Sequence, residues 1–433
     1  MIAKIKIIKS RLATPVVMNI LWLSLDKVFK LAVGLIVGIW VARYLGPNQW
    51  GELNYVLAFV TITATVAKLG MDGFLVKEIL EDPLQKNEIL GTSFLMRLVI
   101  IPVLFGSVLI YFKILDLNSD YYWLLAFLSF NLFITPFDLI DLDFQSRLQS
   151  KLTVVAKNIA YVLGALFRVY LLISNKSLLW FAAAMGFEAA LSYILLTILY
   201  QRNNNIFQWT FNSELARKIL KTGWPFTLAS LAVILYMRLD QVMLGSMVDE
   251  TQLGYFSSAI KISDVFLFLP MAVSSSYLPT LIEAKKTGWE LFIRKNQFFI
   301  NWMMRISVVF AILVTIFSDL IIQQLFGTEY MPASGILVIH IWSLIPIFLG
   351  VATSHYLVIE NLQKFSLYRT LIGLIFNVLL NLYLIPRYAA FGAALATTIS
   401  QLIASVFSMA LFNQTRILFN MQLKSITMLF NFR

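Results

Sequence analysis

The sequence contains no cysteine and only two histidines among its 433 residues. The absence of cysteine excludes disulfide bonds, a thiolate nucleophile and any metal site built on thiolates. His340 and His355 lie about four helical turns apart on one predicted span, so they cannot share a metal ion directly. We therefore expect neither a metal centre nor another cofactor.

Charged residues are also scarce. They make up 13% of the chain, whereas a soluble domain carries about 25%. Hydrophobic residues account for 59% of the sequence, and the mean hydropathy is +0.80. This composition is typical of an integral membrane protein, and the loops are too short to hold a soluble domain.

A membrane-spanning helix needs about 20 mostly apolar residues. The sequence predicts twelve such segments, which makes the expected fold an all-α membrane protein. The first segment is too long for the core of a signal peptide, and we expect it to be retained. The predicted spans are 16–41, 52–71, 91–113, 121–142, 152–173, 177–200, 222–248, 254–282, 298–323, 332–358, 365–386 and 390–413.

Lysine and arginine are distributed unevenly between alternate loops. With the N-terminus placed in the cytoplasm, most of the 34 basic residues fall on the cytoplasmic side, and the outer loops receive only Arg43, Lys113, Lys176 and Arg387. Since positive residues favour cytoplasmic loops, the sequence predicts that both termini are cytoplasmic. The net charge of +11 then reflects topology and attraction to anionic lipid, and it gives no reason to expect a nucleic acid partner.

Several charges lie inside the predicted spans, where each costs about 2.5–3.5 kcal/mol and normally faces a wet cavity or a partner helix. The spacing of Asp26 and Lys30, and of Lys261 and Asp264, also allows ion pairs within one helix, which is the alternative structural interpretation. The basic residues that we expect to bind an anionic head group are Lys27, Lys30, Arg238 and Lys261. The acidic residues that could couple transport to ions or protons are Asp26, Glu188, Asp240 and Asp264.

Arg238 and Asp240 point to nearly opposite sides of the seventh span, because successive residues of a helix are 100° apart. We expect Arg238 to face a cavity and Asp240 to face a packed neighbour. Asp138, Asp141 and Asp143 cluster at the end of the fourth span without another acidic or histidine motif. We predict a structural role for this cluster at the helix end.

A weak internal repeat is visible. Gln49-Trp50-Gly51 follows the first span, and Gln252-Leu253-Gly254 follows the seventh; a short basic segment precedes each of these spans. We infer two lobes of six helices each, at residues 1–205 and 206–433, with a substrate site between the repeats.

Longer motifs resemble the polysaccharide-transporter branch of the multidrug/oligosaccharidyl-lipid/polysaccharide exporter superfamily. Their order and spacing along nearly the whole chain carry the resemblance, since each motif alone is loose. They are Tyr44-Leu45-Gly46-Pro47 with Gly51, the string from Arg238 to Gly245, Leu253-Gly254-Tyr255-Phe256 with Ser258-Ala259, Phe326-Gly327-Thr328-Glu329-Tyr330, Leu380-Asn381, Ile385-Pro386-Arg387-Tyr388, Gly392-Ala393-Ala394 and Ala396-Thr397.

The resemblance implies a V-shaped alternating-access bundle with a cationic central cavity. It implies a flippase that moves undecaprenyl-diphosphate-linked oligosaccharide units, such as those of O-antigen lipopolysaccharide or capsule, from the cytoplasmic to the periplasmic leaflet of a bacterial inner membrane. Its partners would be this substrate, membrane lipid, a polysaccharide polymerase and a chain-length regulator. The family has no short catalytic motif, so the head-group residues named above rest on their position within spans.

Two other functions fit a bundle of this kind. A cation-coupled multidrug antiporter of the same superfamily would need unpaired acidic residues in its cavity, whereas basic residues slightly outnumber acidic ones within the spans. A membrane polysaccharide polymerase or glycosyltransferase would need a large outer loop or an acidic outer motif, and the predicted outer loops are short. We therefore expect a transporter without catalytic residues.

Overall fold

A computed structural model describes residues 15–429, with side chains at Trp22 and from Leu25 onward. This part of the chain is helical and contains no strand, which confirms the all-α fold class. The basic stretch before the first span and the C-terminal Arg433, both used to predict orientation, lie outside the described residues.

Fifteen α-helices follow one another within the described residues, joined by short turns. They are α1 (Pro15–Ala67), α2 (Asp72–Glu81), α3 (Lys86–Ile114), α4 (Ser119–Ile134), α5 (Leu139–Ser146), α6 (Ser150–Ile173), α7 (Leu178–Gln201), α8 (Ser213–Met247), α9 (Glu250–Val265), α10 (Phe268–Thr287), α11 (Trp289–Phe326), α12 (Pro332–Ile341), α13 (Leu344–Ile359), α14 (Lys364–Ser405) and α15 (Arg416–Thr427).

Within the described residues, ten helical segments are long and apolar enough to cross a membrane. Two of them contain a break that separates two predicted spans. Gly46 interrupts α1 with φ 73°, and Ala389 interrupts α14 with φ 48°. Pro47 follows the first break and Pro386 precedes the second, and proline removes a helical hydrogen bond. These breaks account for the difference from twelve, and the number of membrane crossings stays a prediction.

Among the described residues, the first compact unit consists of those up to Tyr44 and Val56–Leu231. Its core lies where α2, α3, α5 and α8 meet, around the buried side chains of Leu75, Leu139 and Ile219. The first part of α8 is fixed there by close contact, since a Cβ on Gly223 would lie 2.0 Å from the sulfur of Met71.

The second compact unit consists of Leu45–Tyr55 and the chain from Ala232 onward. Within it, the α1 segment 45–55 crosses the start of α9 so closely that two backbones touch. A Cβ on Gly51 would lie 1.7 Å from the Glu250 carbonyl oxygen, and a Cβ on Gly254 would lie 1.9 Å from that of Pro47. Only glycine permits this approach. The two units are compact groups of residues, and the lobes 1–205 and 206–433 stay a prediction.

Candidate functional site

The first unit contains a polar cavity of about 300 Å³. The Tyr161 hydroxyl donates to the Lys30 carbonyl oxygen at 2.9 Å, which ties α6 to α1 at its wall. The polar side chains that line the cavity come from α1, α4, α6, α7 and the turn before α5: Lys30, Asn131, Asp138, Lys157, Tyr161, Glu188, Ser192 and Tyr193.

Two predicted site residues of this unit line that cavity, and each has a partner of opposite charge. Lys30 Nζ lies 2.8 Å from an Asp26 carboxylate oxygen, which confirms the pair predicted from their spacing. Glu188 accepts a hydrogen bond from Arg168 Nη2 at 2.5 Å. Lys27 is exposed and is not among the residues that line the cavity. Of the four basic residues predicted to bind the head group, Lys30 is the one that lines this cavity.

The acidic cluster at the end of the fourth predicted span is fully ion-paired. Lys157 Nζ lies 2.9 Å from both Asp138 and Asp141, and Lys68 lies 2.5 Å from Asp138. Asp143 pairs with Arg147 at 2.9 Å. These contacts join the turn after α1, the turn before α5, α5 and α6, as expected for a structural role.

In the second unit, Arg238 lines a small cavity of about 70 Å³ together with Asp264 and His340. Its Nη1 donates to Gln241 Oε1 at 3.4 Å, while its buried Nε has no hydrogen-bond partner. Among the described residues, Arg238 has no ion pair within 4.0 Å. An anion that entered this cavity could accept hydrogen bonds from guanidinium donors that have no other partner.

Asp240 also borders this cavity, and it is buried in a network of amides and hydroxyls. Asn381 Nδ2 donates to its Oδ1 at 2.5 Å, and the Thr397 hydroxyl donates to its Oδ2. Asn381 also donates to Asn377 Oδ1 at 3.1 Å. No ion pair reaches Asp240 within the described part of the chain, and the buried Asn381 Oδ1 lacks a donor.

Lys261, which was predicted to pair with Asp264, also lies against an aromatic ring. Lys261 Nζ lies 5.0 Å from the centre of the Trp50 ring, a cation–π contact. Asp264 lies within electrostatic range of both Arg238 and Lys261, with Arg238 exerting the stronger influence. Asp264 and Arg238 therefore line the same cavity and interact electrostatically.

Lys157, near the start of the fifth predicted span, was not among the expected site residues, yet it lines the polar cavity. Sequence reasoning also missed Asn377 and Thr397 as neighbours of Asp240. Asn381 and Thr397 do occur in the motifs that carry the family resemblance, which was the available signal. Residues 25–429 contain no group of three or more histidine, aspartate or glutamate side chains that could hold a metal ion.

A family model described as "Polysaccharide biosynthesis protein" matches residues 16–285, more than half of the chain. The chain belongs to this family. The first eight predicted spans, from 16–41 to 254–282, all fall within the matched region. The match thus includes the helices that carry Lys30, Glu188, Arg238 and Asp264.

Curated relatives agree with that assignment. The chain is 23% identical to "Probable low-salt glycan biosynthesis flippase Agl15" of Haloferax volcanii, over 83% of this chain and 75% of the relative. It is 31% identical to "Probable flippase AglR" of the same organism, over 43% and 39%. It is 24% identical to "Capsular polysaccharide biosynthesis protein CapF" of Staphylococcus aureus, over 54% and 66%.

Solved structures show the fold. "Lipid II flippase MurJ, inward closed conformation" superposes with a TM-score of 0.75 at 16% identity, over 95% of this chain and 92% of that one. An inward-facing MATE family transporter of the MOP superfamily gives 0.70 at 14% identity, over 94% and 99%. The chain is thus a multi-pass membrane protein that has the fold of these transporters.

Proposed function

We propose that the protein is a flippase for lipid-linked oligosaccharides of polysaccharide biosynthesis. Its family and the relatives named as flippases support this function. The finer proposal is that the carrier is undecaprenyl diphosphate, that the cargo is an O-antigen or capsule unit, and that transport runs from the cytoplasmic to the periplasmic leaflet. A diphosphate and several sugars cannot cross about 30 Å of hydrocarbon unaided.

The observation that supports the head-group site is the guanidinium of Arg238, which has no ion pair among the described residues. A half-buried guanidinium without an ion pair among the described residues retains its affinity for a phosphate, and planar donors suit two phosphate oxygens at once. Lys30 and Lys261 remain proposed contacts, although Lys30 pairs with Asp26 and Lys261 lies over Trp50. Lys27 remains a proposed contact through its exposed ammonium.

Replacement of Arg238 tests this assignment. We expect Arg238→Ala to lower surface polysaccharide about 10- to 100-fold, which corresponds to the loss of charge-assisted hydrogen bonds. Arg294→Ala is the matched control, because Arg294 is exposed and pairs with Glu290 one turn away at 3.1 Å. Polysaccharide display would be measured at equal membrane abundance of each variant. Normal display by Arg238→Ala would remove Arg238 from the site.

We also propose that Asp240 couples transport to a proton or a monovalent cation. A buried carboxylate that lacks a basic partner is stable when it is protonated or when a cation joins it. The free Oδ1 of Asn381 adds an oxygen ligand beside that carboxylate. Asp26, Glu188 and Asp264 were proposed for the same role, but Asp26 and Glu188 have basic partners.

For location, we propose the inner membrane of a bacterium with both termini in the cytoplasm. The polymerase and chain-length regulator of the same polysaccharide are the proposed partners. Because the natural chain lacks cysteine, labelling of single cysteines placed at Arg416 and Lys176 with an impermeant maleimide tests the orientation. Labelling of position 416 from outside intact cells would contradict it.

The cation-coupled multidrug antiporter is the alternative that shares this fold. The buried Asp240 suits cation coupling in either case. Drug efflux that depends on Asp240, without any defect in polysaccharide when the protein is absent, would favour the antiporter.

A further inference from the structure

The first unit has a second concavity, which is apolar and so differs from the polar cavity. It is a groove of about 450 Å³ between α3, the first part of α8 and the end of α1, and apolar side chains line it throughout. Val99 on its wall is 70% exposed. Residues such as Leu95, Val103, Phe211 and Leu220 complete it. The volume lies within the range of ordinary ligand sites.

The wall that carries Phe211 is held in place by polar contacts. The Asn212 backbone N–H donates to the Thr92 hydroxyl at 3.0 Å, and Asn212 Nδ2 donates to Glu88 Oε2 at 3.1 Å. The Thr210 N–H donates to the Asn87 carbonyl oxygen at 3.3 Å. The segment before α8 is thereby fixed to the start of α3, and the groove is preformed.

Basic side chains flank the apolar wall on α8. Ala216 and Leu220 line the groove, and Arg217 and Lys221 each follow one of these residues, so the two cations form a neighbouring stripe on the same helix. Both cations are exposed. Neither forms an ion pair with any other described residue, whereas Lys218 beside them pairs with Glu78 at 2.7 Å.

We propose that this groove binds an anionic phospholipid of the leaflet that faces the basic loops. One acyl chain lies in the groove, and the phosphate lies against Arg217 and Lys221. The groove offers no polar group to a sugar, a nucleotide or a peptide backbone, while an acyl chain needs none. Basic residues immediately beside a membrane span attract anionic lipid, which supplies the head-group half of the match.

The test uses the whole protein in nanodiscs of equimolar phosphatidylglycerol and phosphatidylcholine, followed by native mass spectrometry of the lipid that remains bound in detergent. We expect phosphatidylglycerol to be retained at least fivefold over phosphatidylcholine. Val99→Trp fills the groove and should lower retained phosphatidylglycerol about fivefold. Arg217→Gln combined with Lys221→Gln leaves the groove intact and should abolish the preference between the two lipids.

Two matched controls accompany these variants. Ile110→Trp places the same ring on an exposed position of α3 outside the groove, and Arg294→Gln removes an exposed basic charge elsewhere. Both should retain phosphatidylglycerol as the natural chain does. Equal retention of the two lipids by the natural chain, or unchanged retention in both test variants, would overturn the proposal. So would displacement of phosphatidylglycerol by an equal amount of polyprenyl diphosphate, since the groove would then serve the substrate tail.

Discussion

At the scale of single residues, Asp240 differs from Asp138 and Glu188, two acidic side chains that line the polar cavity of the first unit. Asp138 and Glu188 each have a lysine or arginine within ion-pair distance. Asp240 has amide and hydroxyl donors instead, and it is 4% exposed. Neutral donors stabilise the charge less than a cation does, which is the physical basis of the proposed coupling to a proton or a small cation.

Replacement by the isosteric amide tests this role. Asp240→Asn keeps the shape of the side chain but removes its charge, so we expect normal membrane abundance together with loss of the response to an imposed pH or sodium gradient. Transport by the purified protein in liposomes would be compared with and without each gradient. An unchanged response in Asp240→Asn would show that coupling does not pass through this carboxylate.

The lysine between Asp138 and Asp141 gives a stability prediction. Lys157→Ala leaves both carboxylates with less compensation, and removal of one partner from a largely buried pair costs about 3 kcal/mol. Thermal unfolding should therefore begin at a clearly lower temperature. Lys77→Ala is the control, because its pair with Glu81 is exposed and worth about 0–1 kcal/mol. Equal stability of the two variants would contradict the structural role of the cluster.

Contacts within one helix could be predicted from the sequence, whereas contacts between helices could not. The Asp26–Lys30 pair follows from helical spacing alone, and the structure confirms it. Lys157 and Asn381 act through contacts with other helices, and nothing local in the sequence specifies those contacts. Lys27 lies three residues before Lys30 and shares its helical face by spacing, yet Lys27 is exposed whereas Lys30 is half-buried.

At the scale of elements, the crossing of α1 with α9 leaves no room for a Cβ at Gly51 or Gly254. The repeat inferred from sequence relates Gly51 to Gly254 and Pro47 to Glu250, and the contact is reciprocal between these positions. Asn48 Nδ2 donates to the Thr251 hydroxyl at 3.4 Å, and these residues are 203 apart, the same offset. The two short tripeptides that suggested a duplication thus lie in contact with each other.

Two cysteines placed at Asn48 and Thr251 would test whether this crossing must open during transport. The natural chain has no cysteine, so the engineered pair has no competing thiol. We expect oxidation of Asn48→Cys/Thr251→Cys to block transport and reduction to restore it, with either single variant unaffected by oxidant. Full transport by the oxidised double variant would show that the contact persists through the cycle.

At the scale of the whole molecule, hydropathy alone predicted the all-α membrane fold, because a helix in lipid must satisfy its own backbone groups. It also placed boundaries near the breaks at Gly46 and Ala389. It could not predict that residues 45–55 group with the later part of the chain, since that grouping depends on packing between distant segments. The proposed function rests on the order of the motifs, and the match to a polysaccharide biosynthesis family supports it.

The most direct test of the central claim is a flipping assay with the purified, reconstituted protein. Liposomes would contain a fluorescent undecaprenyl-diphosphate oligosaccharide, and a membrane-impermeant quencher would report how much of it reaches the outer leaflet. The account predicts protein-dependent flipping that Arg238→Ala slows about 10- to 100-fold and Arg294→Ala leaves unchanged. Quenching that is the same with and without the protein, in vesicles where it is correctly folded, would contradict the account.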